Sequence, residues 1–144
     1  MDLGAFSRRM NKRANNFDRN ANNLRRSVAM EMIQEVVLAT PVDTGVARSN
    51  WRVTVNSAPT GVIGAYSPGQ KLGRGETANA NAAIAAGIVS IMGSKSTDVL
   101  YFTNNVPYIQ ILNTGYSKQA PSNFISKAFD RARKRVQRAR RLLD

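Results

Sequence analysis

The sequence predicts an α+β fold, and three observations carry that prediction. Apolar residues recur at spacings of 3, 4 or 7 through the first 39 residues. Residues 51–56 then alternate apolar and polar, the period of a half-buried strand. The last 26 residues carry apolar and basic side chains on opposite helical faces. At 144 residues the chain is about one domain long, enough for one hydrophobic core.

Leu3, Phe6, Met10, Phe17, Ala21, Leu24, Val28, Met32, Val36 and Ala39 form one apolar stripe. A helix over residues 1–39 follows, and a single-faced helix of that length needs a partner surface, its own sheet or a neighbouring subunit. Asn15, Asn16, Asn22 and Asn23 are poor helix formers and are expected to loosen its first half. Thr40-Pro41 ends it, because the residue before proline avoids helical backbone angles. Residues 40–118 form an α+β core. Asp43 or Thr44 is expected to cap a short turn leading to Trp51, with Gly45 standing where a side chain would not fit. Trp51, Val53 and Val55 share one strand face, and Trp51 is expected to anchor the sheet to a helix. A turn at 58–61 predicts a hairpin whose returning strand is 62–66.

Residues 67–76 are a polar loop with Gly69, Gly73 and Gly75 between Lys71 and Arg74. Its spacing matches neither common phosphate-loop pattern, so a loop that orders on assembly is the better reading. An Ala-rich helix is predicted over 77–92, closed by Gly93, then a short strand over 99–103. A helical turn or two is expected over 107–112. The chain ends, over 119–144, in a helix that Pro121 opens. Phe124, Ile125, Ala128, Phe129, Ala132, Val136, Ala139 and Leu143 make its apolar face. Lys127, Arg131, Lys134, Arg138 and Arg141 stripe the opposite face.

Charge and composition narrow the function. There is no Cys and no His, which removes thiol nucleophiles, His-based triads and the usual zinc ligand sets. Glu31 and Glu35, four apart, read as a polar helix face and not an acid–base pair. No catalytic constellation, cofactor site or metal site is expected. The net charge is +12: +3 in residues 1–39, +3 in 40–118 and +6 in 119–144. A one-signed stripe predicts an anionic partner, DNA or an acidic protein surface. The N-terminus has no signal-peptide pattern and no apolar run is long enough to span a bilayer, so the chain is expected to be soluble and made in the cytoplasm. Tyr101, Phe102, Tyr108 and Tyr116 are expected to pack in the core or between subunits.

Pro41-Val42-Asp43-Thr44-Gly45-Val46-Ala47-Arg48-Ser49-Asn50-Trp51 resembles the P-V-D-T-G-x-L-R-x-S-W signature of small neck and tail-completion proteins of tailed bacteriophages, the lambdoid minor tail protein Z group among them. The segment from Thr103 through Asn104, Pro107, Tyr108 and Gly115 to Pro121 is similar to that family's second block: an Asn-rich turn, Pro-Tyr, an aliphatic turn, then Gly and S-K-Q-A-P. Val46-Ala47 replaces the usual Leu-containing pair, and Asn113 stands where the family commonly has Glu. The resemblance implies a non-catalytic, ring-forming subunit at the virion's head–tail junction. Its partners would be copies of itself, other neck, connector or tail-terminator proteins, and packaged DNA in passing, with no membrane and no small-molecule substrate. The alternative is a small basic DNA-binding protein using the last helix.

Overall fold

The computed structural model describes residues 2–42, 44–68 and 76–143, with the side chains of all of these except 76 and 141–143. The elements in chain order are α1 (Leu3–Ala39), α2 (Val46–Ser49), β1 (Arg52–Val55), α3 (Glu76–Gly93), β2 (Leu100–Thr103), α4 (Ile109–Asn113) and α5 (Phe124–Leu143). The α+β class, the long first helix, the Ala-rich middle helix and the basic last helix are as the sequence predicts.

The helix α1 is unbroken through its asparagines. Two of them accept bonds from arginines three residues on, Asn16 from Arg19 and Asn22 from Arg25, which offsets their low propensity. Asp2 caps its start by accepting from the Gly4 N–H at 2.9 Å. Packing divides the helix. Ala29, Ile33, Val36 and Val37 are buried against the body, whereas Leu3, Phe6, Met10 and Phe17 stand exposed. Of the predicted stripe only Val36 is buried; Leu24, Val28, Met32 and Ala39 are half-buried, and the buried face runs instead through Ala29, Ile33 and Val37.

The sheet differs from the predicted hairpin. β1 pairs antiparallel with β2 in the register Arg52↔Thr103, Val53↔Phe102, Thr54↔Tyr101 and Val55↔Leu100. Residues 62–66 form no strand. Asn50 takes the Ile63 backbone for itself: its Nδ2 donates to Ile63 O and its Oδ1 accepts from Ile63 N, both at 2.8 Å. Asn79 does the same to Ser67, accepting from its N–H at 2.7 Å and donating to its carbonyl at 2.9 Å. With its donors and acceptors paired to side chains, and with Pro59, Gly61 and Gly64 against an extended ladder, the segment runs as an ordered coil.

Two helices bracket this sheet. Gly87 of α3 lets that helix lie close, since a Cβ there would meet Ile33 Cγ1 at 2.9 Å and Val53 Cγ2 at 3.2 Å. On α5, Phe124, Ala128, Ala132 and Val136 are buried at four-residue spacing. Phe129 lies edge-on to Trp51, with centroids 6.5 Å apart, and to Phe102, at 6.0 Å. The helix α5 begins at Phe124, so Pro121 stands before it and not in its first turn. Asn123, at φ 59°, makes the intervening corner. Ala139 is exposed, and the Leu143 side chain lies outside those described.

A third asparagine clamp ties the end of β1 to the loop before β2. Asn56 donates from its backbone N–H to Val99 O and accepts from Val99 N–H, while its amide donates to Asp98 Oδ1 at 3.0 Å. Asp98 also accepts from the Lys95 N–H at 2.7 Å. The Lys95 N–H, then the Asn56 amide, hold the Asp98 carboxyl below its ordinary value of 3.8.

Two outcomes follow. Trp51→Ala should lower stability by roughly 3–5 kcal/mol, the usual cost of emptying a large buried aromatic site, read as a shift in urea midpoint. The Asp98 contribution is complete above its ordinary carboxyl range and drains away as pH falls through its lower folded value. Asp98→Asn should therefore flatten the acid limb of a melting temperature against pH curve below about pH 4.

Candidate assembly site

The two sequence blocks converge on one place. Thr40, buried at the end of α1, donates its hydroxyl to Val36 O at 2.7 Å and accepts the Trp51 indole N–H at 2.8 Å. Arg48 donates to the Thr40 and Leu38 carbonyls at 2.9 and 3.1 Å, placing a cation on the negative end of the helix. Pro41 is buried. Gly45, at φ 84°, is the N-cap residue of α2, and among the described residues no side-chain cap bond to that helix is seen, from Thr44 or any other. Asp43, the other predicted cap, lies outside the described residues. Any side chain at 45 would collide with the Asn79 amide, so the expected need for glycine is met by both conformation and space.

The second block is bonded onto the first. Asn104 donates to Ala47 O at 2.8 Å and accepts from the Val106 N–H at 3.2 Å. Gln119 pairs with Val42 through both backbone groups, accepting from its N–H at 2.8 Å and donating to its carbonyl at 2.9 Å. Between them Pro107 is exposed and precedes α4, and Gly115, at φ 89°, turns the chain after it. Asn113 accepts from the Asn123 N–H through its carbonyl and from the Ile125 N–H through its side chain, capping α5 across the turn. A neutral amide suffices for that role where the resembling family has an acid.

A cavity of about 420 Å³ opens at this seam, lined by Pro41, Val42, Gly45 and Ala47 from one block and Tyr108 and Leu112 from the other. Its described lining is apolar or neutral. Thr44, Ser117 and Gln119 add neutral polar side chains to it, and no charged side chain is in the described lining. Among the described residues no group of three or more His, Cys, Asp or Glu side chains gathers where a metal ion would be held.

The basic stripe of α5 divides. Lys127, Lys134 and Arg138 point outward and have no ion pair among the described residues. Arg131 does not belong with them: its Nε bonds Glu35 at 3.0 Å. Arg135 reaches both Glu31, at 3.2 Å, and Glu35, at 2.8 Å. Glu31 and Glu35 are thus the acceptors that lock α5 to α1, which corrects their reading as a plain polar face. Sequence spacing on one helix cannot reveal a partner about 100 residues away. The Arg141 side chain, and the loop residues Gly69, Lys71, Gly73, Arg74 and Gly75, lie outside those described. Of the aromatic group only Phe102 enters the core. Tyr101, Tyr108 and Tyr116 are exposed, so the core half of that expectation fails for them.

No described helix is long and apolar enough to cross a membrane. No family model, curated protein or solved structure matches the chain.

Gly45→Ala should unseat Asn79, release Ser67 from its clamp and be among the most destabilising small changes, seen as early proteolysis near Tyr66. Glu35→Gln should cost about 1 kcal/mol in denaturant unfolding, the upper range for a partly exposed ion pair, and the loss should shrink at high salt.

Proposed function

We infer that this chain is a structural subunit of the head–tail junction of a tailed bacteriophage, a neck or tail-completion protein that works by assembling and not by catalysis. The observation that carries the reading is the bonded seam between the two blocks: Asn104 on Ala47 and Gln119 on Val42. The residues on which the resemblance rests are those that build one local structure, in the order the family has them. The chemistry of that place, a neutral cavity on a rigid corner, suits a packing surface.

The outward cations of α5 give the subunit its partner chemistry. Lys127, Lys134 and Arg138 present a row that an acidic ring surface or threaded DNA would neutralise. This same row favours the second reading, a small DNA-binding protein. The two separate on salt: contacts to phosphates alone weaken steeply as salt rises, whereas binding to free duplex that persists at moderate salt favours the second.

The test is Lys127→Glu, Lys134→Glu and Arg138→Glu together, leaving Arg131 in its pair with Glu35. The folded triple variant should fail to support joining of heads to tails in a complementation assay. Normal titre from a folded variant would reduce the row to a solubilising face, and normal particles from a phage lacking the gene would end the neck reading.

A further inference from the structure

Two apolar helix faces remain uncovered on the subunit. The first is on α1. Leu3, Ser7, Met10, Ala14, Phe17 and Ala21 follow one another at steps of 4, 3, 4, 3 and 4, the seam of a two-helix contact. Leu3 is 77% exposed and Phe17 73%. Residues 2–21 extend about 30 Å at the helical rise. The stretch includes Gly4, Asn11, Asn15, Asn16 and Asn20, so propensity alone does not hold it helical.

The second face is on α3, whose buried side is Ala80, Ala83, Gly87 and Ile91. Its other side carries Ala78, Ala82, Ala85, Val89 and Met92, again at steps of 4, 3, 4 and 3. Val89 is 73% exposed and Met92 50%. A helix apolar on both sides is one that is covered when assembled.

We propose that the N-terminal arm of α1 docks along the outer face of α3 of a second copy of this chain. Periodicity, length and size agree. Both seams repeat every 3.5 residues, and α3, with 18 residues, spans about 27 Å. Large residues on the arm face alanines on α3, which lets the two helices approach closely. Charge selects this partner over a second arm. Residues 2–21 hold five basic and two acidic side chains, so arm-on-arm pairing sets two net positive helices side by side. Residues 77–93 of α3 contain no charged side chain at all. The arm's Arg8, Arg9, Lys12 and Arg19 fall off the seam and stay in water.

The contact is head-to-tail, because the two faces differ. Such a contact repeats from copy to copy and closes into a ring when the rotation permits. Closure into a ring rests on the neck reading above; the contact itself does not.

The test mixes two charge-disrupted variants of the full chain. The arm variant is Met10→Glu with Phe17→Glu; the face variant is Ala85→Glu with Val89→Glu. All four sites are exposed, so melting temperatures should stay near that of the parent. The parent should associate with rising concentration in sedimentation, and each variant alone should associate about tenfold or more weakly, a loss of about 1.4 kcal/mol. An equimolar mixture should form one-to-one dimers, because one intact face remains on each partner. A monomeric parent at its highest soluble concentration, a face variant that associates like the parent, or a mixture without dimers would each overturn the contact. Should a variant misfold, the chain's lack of cysteine provides a second route. Met10→Cys mixed with Val89→Cys should yield the mixed disulfide, and Met10→Cys dimers in excess would instead indicate arms on arms. These readouts use purified protein, so their failure leaves the head-joining assay to judge the neck reading separately.

Discussion

The buried hydroxyl of Thr40 is the point on which the rest of the fold turns. It accepts the Trp51 indole N–H and donates to the Val36 carbonyl, joining the last turn of α1 to the start of β1. Both bonds are buried, where an unpaired polar group costs most. From Trp51 the packing passes to Phe129 of α5 and then to Phe102 of β2. One hydrogen-bonded corner therefore fixes how four elements meet. Arg48, on the Thr40 and Leu38 carbonyls, seals the same corner electrostatically.

Amide side chains do the work that strands do in a larger sheet. The sheet has two strands of four residues each. Around it Asn50, Asn56, Asn79, Asn104 and Gln119 each take backbone donors or acceptors of a distant segment. Those bonds satisfy the polar groups of the coil without a ladder. The result is a small core with ordered loops, reached without disulfides and with little regular β-structure.

Much of the fold was legible in the sequence, and two of the failures share one cause. The helical periods of α1, α3 and α5, the break at Thr40-Pro41 and the glycine at 45 are local signals, and each is where it was read. The hairpin misreading came from judging residues 62–66 by their own pattern, when Asn50 and Asn79 take their backbone groups from afar. The Arg131 and Arg135 pairs with Glu35 and Glu31 likewise depend on α5 lying along α1, which one helix's spacing cannot show. At the candidate site, both blocks were visible as motifs. Their bonding to each other through Asn104 and Gln119 was not.

The chain thus divides into a packed body and an exposed N-terminal arm. The buried residues of α1 all lie between 29 and 37, while among the described residues 2–21 nearly every side chain is exposed. Hydrogen exchange along α1 in the dilute monomer tests this division most directly. Amides at 29–37 should exchange only with global unfolding, while those at 6–20 should exchange orders of magnitude faster and gain protection when copies associate. Uniform slow exchange along the whole helix in the monomer would contradict the account.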